Sequence, residues 1–194
     1  MNAGVEPRAK LSTVITYLEM REPPKRHFAA PPAHQKLALI RAERPSVAFS
    51  RFLYDAVGAK WWWYERMQLD DARLAAVIGD PKYETYVLYV SGTPGGYFEL
   101  DRRDTGIVEL AYFGLMPDCI GLRLGPFLLD QAIKLAWQGP PVPGRLWVNT
   151  CDMDHPKALP LYQRAGFVPY DRRVKEFDDP RPLGLVPPGP QPNR

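Results

Sequence analysis

Apolar residues recur along this chain with two periods, and the switches between them mark its elements. Alternation rich in β-branched and aromatic residues runs through Lys10–Met20 (KLSTVITYLEM), Tyr83–Val90 (YETYVLYV), Tyr97–Asp101 and Ile107–Met116, the period-2 pattern of strands. Leu37–Ala42 reads as a second strand or as part of a first strand pair. Arg145–Thr150 (RLWVNT) is a further buried strand, and Phe167–Phe177 a closing one. Helical spacing appears at Ser46–Ala56 with Ser46 as cap, at Asp70–Ile78, at Phe127–Trp137 after Pro126, and at Pro156–Ala165 before Gly166. Pro23, Pro24, Pro31 and Pro32 mark a loop, and Ser91–Gly96 and Asp104–Gly106 mark turns.

Short turns between the three middle strands predict an antiparallel meander. The helix after Ile107–Met116 predicts that Arg145–Thr150 lies parallel to it. The expectation is an α+β fold with a mixed, mainly antiparallel central sheet containing one parallel strand pair, flanked by helices. Residues 1–178 form a single domain in this reading, and 179–194 a proline-rich, flexible tail.

The stretch Ile107–Phe127 carries the first chemical signal. Its alternating rows are Ile107, Glu109, Ala111, Phe113 and Leu115 on one side, and Val108, Leu110, Tyr112, Gly114 and Met116 on the other. Both rows are apolar, as in a central strand covered on two faces. Glu109 then stands in an apolar row. It is either a strand-end carboxylate at a sheet margin or a carboxylate with a raised pKa, ready to take a proton. After Pro117, a loop with Gly121 and Gly125 leads into a helix, so backbone N–H groups and the helix dipole converge on one spot that suits a phosphate. A tight connection alone has the same spacing. Four adjacent aromatics, Trp61 to Tyr64, cannot all face one core from a regular helix. They either bridge packed elements or line a pocket.

Composition narrows the classes. The chain has 25 basic and 22 acidic residues for a net charge of +3, interspersed along its 194 residues, which gives no argument for nucleic acid as partner. No apolar run reaches membrane-spanning length, and MNAGVEPRAK lacks the apolar stretch of a secretory signal. Two cysteines, Cys119 and Cys151, make no disulfide framework, and no cluster has zinc spacing. A cytoplasmic, metal-free protein with no membrane partner is expected.

The block from Glu109 to Phe167 resembles the GNAT superfamily of N-acetyltransferases, which move an acetyl group from acetyl-CoA to an amine. Leu115-Met116-Pro117 is similar to the family's strand end. Ile120-Gly121-Leu122-Arg123-Leu124-Gly125 stands where the phosphate loop belongs, and His155, Ala158, Tyr162, Gly166 and Phe167 follow the spacing of a frequent family ending. Ile120 replaces the basic or amide residue opening the loop, Arg123 its first glycine, and His155 the usual asparagine; Pro126 removes a donor.

The resemblance implies a splayed parallel pair filled by the pantetheine arm of acetyl-CoA as co-substrate. It implies Glu109 as general base, directly or through water, and Tyr162 as general acid to the CoA thiolate. Leu115, Met116, Gly121, Leu122, Arg123, Leu124, Gly125, Phe127 and His155 are implied as cofactor-binding residues. Phe52, Asp55, Trp62 and Trp63 are implied as walls of a site for a small-molecule or peptide amine. A non-catalytic acyl-CoA-binding or protein-interaction member of the same fold is the alternative, and exposed strands make a homodimer an expectation.

Overall fold

The computed structural model describes residues 9–139 and 141–193. The opening residues 1–8, Pro140 in the stretch Gly139–Gly144 that the sequence marks as a proline-rich break, and Arg194 lie outside them. Seven strands form one sheet: β1 (Lys10–Met20), β2 (Leu37–Ala42), β3 (Tyr83–Val90), β4 (Thr93–Asp101), β5 (Ile107–Leu115), β6 (Arg145–Cys151) and β7 (Val168–Asp178). Their order is β2-β3-β4-β5-β6-β1-β7. Every pairing is antiparallel except β5 with β6. The mixed sheet with one parallel pair is as expected. A β1–β2 pair does not form: the two strands lie on opposite sides of the sheet, and β1 is inserted between β6 and β7.

The long loop between them is fastened to the face of the sheet that carries Asp130 and Ala165. Arg26 forks onto Asp130, with Nη1 donating to Oδ2 at 2.9 Å and Nη2 to Oδ1. Its Nε donates to the Ala165 carbonyl at 3.1 Å. Asp130 is buried and also accepts from the Ala29 N–H, so this charge is paired and hydrogen-bonded, the condition for burying it.

Four helices flank the sheet: α1 (Val47–Gly58), α2 (Asp71–Ile78), α3 (Leu124–Ala136) and α4 (Ala158–Ala165). Ser46 and Asp70 cap α1 and α2 through their side chains, each satisfying an orphan N–H of a first turn. Helix α3 begins three residues before the expected Phe127, so Pro126 is its third residue, a position whose N–H has no partner in any α-helix. At the other end, Arg102 donates to the Leu135 and Ala136 carbonyls at 2.7 and 3.0 Å, a cation on the negative end of the dipole.

Two irregularities change the strand reading. The β3–β4 hairpin turns on Ser91-Gly92 alone, with φ of 51° and 92°, the pair of left-handed residues a tight hairpin needs. The Pro94-Gly95-Gly96 run, which reads as turn, is instead strand. A Cβ on Gly96 would lie 2.7 Å from the Gly114 carbonyl, so the close approach of β4 to β5 depends on its glycine.

In β5 the register skips Ala111: Leu110 faces Leu100 and Tyr112 faces Glu99. This bulge exchanges the rows beyond it. Tyr112 and Gly114 join the side of Glu109, where Tyr112 meets Tyr54 of α1 and Gly114 abuts Val57. Phe113 and Leu115 join the opposite side, against Tyr162 of α4 and Gly125 of α3.

The tail after Asp178, expected to be flexible, lies along the outer end of the sheet. Gln191 donates to the Ser12 carbonyl at 2.9 Å, Asn193 to those of Asp152 and Asp154 at 2.9 and 2.8 Å, and Val186 is buried with Trp62, Met153 and Phe177.

Candidate functional site

Strands β5 and β6 pair at only three positions, Ile107–Arg145 to Glu109–Trp147. Beyond Glu109 they part, and a cleft of about 580 Å³ opens between them. A sheet that splits exposes unpaired backbone groups along both edges, and only polar solvent or a ligand lying in the gap can satisfy them.

One end of this cleft is basic. The loop ahead of α3 brings Gly121, at φ 91°, and Arg123, at φ 61°, to the cleft wall. Arg123 takes the cap position of α3 with no side-chain cap, so the Leu124 and Gly125 N–H groups lack intrahelical acceptors and point with the dipole at the cleft. Arg123, Lys157 and Arg164 all line this end with exposed side chains. His155 stacks edge-on to Trp61 with 5.2 Å between ring centroids, and its Nδ1 accepts from the Lys157 N–H. Burial and the charges of Lys157 and Lys60 hold its pKa below the usual histidine value, so at neutral pH it contributes shape and hydrogen bonding rather than charge.

Tyr162 of α4 lines the middle of the cleft. Its ring is boxed by Phe113 and Phe167. Burial pushes its phenol well above the ordinary value, reinforced by Asp154, so the hydroxyl keeps its proton. Cys151 also lines the cleft, but burial and Asp154 push its thiol up to about 11. A protonated thiol is a poor nucleophile. No group of three or more His, Cys, Asp or Glu that could hold a metal ion is present among the described residues.

Glu109 lies just beyond the cleft, in an adjoining recess of about 410 Å³. The two share Glu65, Ala111, Tyr112 and Asn149 along their common wall. Burial raises the Glu109 carboxyl to about 7, the charge of its cross-strand neighbour Asp101 pushes the same way, and Arg103 opposes both. Asp101 is itself forked by Arg103, with Nε to Oδ1 at 3.0 Å and Nη2 to Oδ2 at 2.5 Å. Of two facing carboxylates, one is thus kept ionised and the other kept near neutrality, the arrangement that separates acid from base roles.

The four adjacent aromatics do both things the sequence left open. Trp61, Trp62, Trp63, Tyr64 and then Glu65 all line the cleft, and each is tied to neighbours from other elements. Trp61 meets His155; Trp62, at φ 58°, packs on Met153 and Phe177 under the Arg181 guanidinium. Trp63 meets Tyr54 and Tyr112, and its Nε1 donates to Asp154 at 3.1 Å. Tyr64 meets Phe177, and Glu65 accepts from Lys175 of β7 at 2.5 Å. The segment is a strap laid across the open sheet.

Of the residues singled out in the sequence, the cleft gathers Leu115, Gly121, Arg123, Leu124, Gly125, His155, Tyr162, Trp62 and Trp63. Met116, Leu122, Phe127, Phe52 and Asp55 do not line it. Met116 is buried with its N–H bonded to the Gly95 carbonyl, and the Leu122 N–H bonds to Cys119. Phe52 is half exposed beside Phe49, and Asp55 is exposed on the same helix, whose inward face is Leu53, Tyr54 and Val57. Thr13, Ile15 and Tyr17 line the cleft unforeseen. They do so because β1 is next to β6, and a non-local pairing leaves no trace in local pattern.

A family model described as the acetyltransferase (GNAT) family matches residues 43–167. Similar solved structures include a tandem GNAT protein from the clavulanic acid biosynthesis pathway, 15% identical, with a TM-score of 0.58 over 94% of this chain and 56% of that one. A GCN5-related N-acetyltransferase from Kribbella flavida is 16% identical, with a TM-score of 0.54 over 88% and 60%. Another from Sphaerobacter thermophilus is 16% identical, with a TM-score of 0.53 over 90% and 52%. At these identities the likeness is one of fold, and the chain spans between about half and two thirds of their length. No curated protein matches the sequence.

Proposed function

Because the chain belongs to the GNAT acetyltransferase family, we propose that it moves an acetyl group from acetyl-CoA to a primary amine by direct attack within a ternary complex. The observation that carries this reading is the parting of β5 from β6 immediately after Glu109, with a helix N-terminus and a basic rim at one end of the gap and a protonated tyrosine in its middle.

The residues present fit acetyl-CoA. Leu124 and Gly125 offer N–H groups, Arg123 offers a cation to its phosphates, and Leu115 with Leu161 offers an apolar wall to its arm. When bound, acetyl-CoA supplies an acyl group activated as a thioester. The chain's own residues do the rest. The strap and the strand edges hold the amine beside the thioester, and positioning of this kind accounts for much of the rate in two-substrate transfers. Glu109 accepts the amine's proton, through water in the shared recess, as the new C–N bond forms. Tyr162 donates to the sulfur as the C–S bond breaks. A base with a pKa near 7 matches the operating pH, where a general base is most effective.

Calorimetric titration with acetyl-CoA, against free CoA, tests the first half. Micromolar binding is expected, and weakening by about tenfold or more in Arg123→Glu. Thiol release on an amine panel tests the second half. Binding without transfer to any amine would move the protein to the class of non-catalytic acyl-CoA binders.

A further inference from the structure

The charged groups lining the cleft divide into two sets. Arg123, Lys157 and Arg164 stand at the α3–α4 end. Asp154 is already taken up by Trp63, the Thr150 hydroxyl at 2.8 Å and the Cys151 N–H at 2.9 Å. Among the described lining residues that leaves Glu65 and Lys175, which meet each other at 2.5 Å from the strap and from β7. Both side chains are about half exposed, at 60% and 47%. An ion pair so wet is weak and readily exchanges partners.

Its placement is informative. Glu65 lines both the cleft and the recess that holds Glu109, whereas Lys175 lines the cleft alone. A cation drawn to Glu65 is therefore on the side of the general base, and an anion drawn to Lys175 is on the side away from it. The two ions touch, so a ligand that replaces each with its own opposite charge must carry its ammonium and its carboxylate close together, as an α-amino acid does. Tyr64, next to Glu65, and Phe177, two residues from Lys175, lie with ring centroids 5.9 Å apart and line the cleft with Tyr17, so the side chain of such a ligand meets aromatic surface.

We propose that the acceptor is an α-amino acid with an apolar or aromatic side chain, its ammonium received by Glu65 and its carboxylate by Lys175. This rests on the acetyl-transfer reading above. The bound ammonium first gives up one proton, through water, towards Glu109, so that the neutral amine attacks the thioester carbon; the second N–H proton, lost as the C–S bond breaks, replaces the one Tyr162 gives to the sulfur, while Lys175 keeps the carboxylate in place as a specificity residue.

The test compares L-phenylalanine with 2-phenylethylamine, which differ by the carboxylate alone. In the native protein kcat/KM is expected to favour phenylalanine by at least tenfold. Lys175→Met is expected to lower kcat/KM for phenylalanine by tenfold or more, mainly through KM, and to leave phenylethylamine within twofold. Lys175→Arg is expected to restore most of the difference. Equal use of the two amines by the native protein, or equal losses for both in Lys175→Met, would overturn the proposal and leave the pair as a latch for the strap. If neither amine is acetylated, quenching of tryptophan fluorescence by the same two probes separates the questions. Phenylalanine binding that needs Lys175 sustains the subsite while removing the transfer reading. Absence of binding by either probe removes the subsite.

Discussion

Glu109 and Asp101 face each other across β4 and β5, yet only Asp101 is held by an arginine. The sign of the resulting pH dependence follows from proton counting. In the unfolded chain Glu109 ionises near 4.5, whereas in the native protein it keeps its proton up to about 7. Between those values the native state binds more protons, so stability falls as pH rises through that window and levels off above it. Glu109→Gln removes this loss. Its stability relative to the native protein, measured by urea denaturation, is expected to grow from pH 4.5 to 7 and then to hold. Its acetyl-transfer rate is expected to drop at least 100-fold, with loss of the acid limb near pH 7. In Asp101→Asn the like charge is gone and Arg103 is freed, and both changes favour ionised Glu109. A carboxyl-carbon NMR titration should then place Glu109 at least half a unit lower, and the acid limb of activity should follow it.

At the scale of elements, the bulge at Ala111 decides which side chains meet α1 and which meet α3. Without it Tyr112 would leave Arg66, whose guanidinium stacks 4.3 Å from its ring. Gly114 shows how closely the bulged strand is packed: a Cβ there would be 2.3 Å from the Val57 side chain. Gly114→Ala is expected to cost about 1–3 kcal/mol by overpacking, read as a lower urea midpoint with an unchanged slope. The bulge explains one limit of the sequence. Both rows of β5 are apolar, so shifting one row past the other changes no hydrophobic pattern. The Pro94-Gly95-Gly96 run fails for a different reason: glycines chosen for close strand approach look the same as glycines chosen for a turn. Lys10–Met20, Tyr83–Val90 and Asp70–Ile78, by contrast, were legible almost to the residue, because each is set by its own periodicity and caps. The candidate site divides the same way. Gly121 and Gly125 stand out by local spacing and Tyr162 only through the family resemblance, whereas Lys175 enters the cleft through pairings made far along the chain.

Across the whole molecule, a buried polar centre joins the strap to the middle of the sheet. Arg66 Nη1 lies 2.7 Å from Glu99 Oε2, and the Tyr83 hydroxyl donates to that same oxygen at 2.6 Å while accepting from Arg66. Both charged side chains are at most 4% exposed. Removing one partner strands the other, so Arg66→Met is expected to cost about 3–5 kcal/mol in urea denaturation. The double variant Arg66→Met with Glu99→Leu should lose less than the sum of the two single changes. The insertion of β1 between β6 and β7 has a consequence of another kind. Strands β2 to β5 can pair in the order in which they leave the ribosome. The outer half of the sheet cannot, because β1, made first, has partners only in β6 and β7, made last. Until β6 and β7 have been translated, β1 waits with both of its edges open. Nascent chains arrested before Asp178 should therefore be protease-sensitive at β1 and favoured clients of ribosome-associated chaperones, and chains arrested far enough beyond it for β7 to emerge should be protected there.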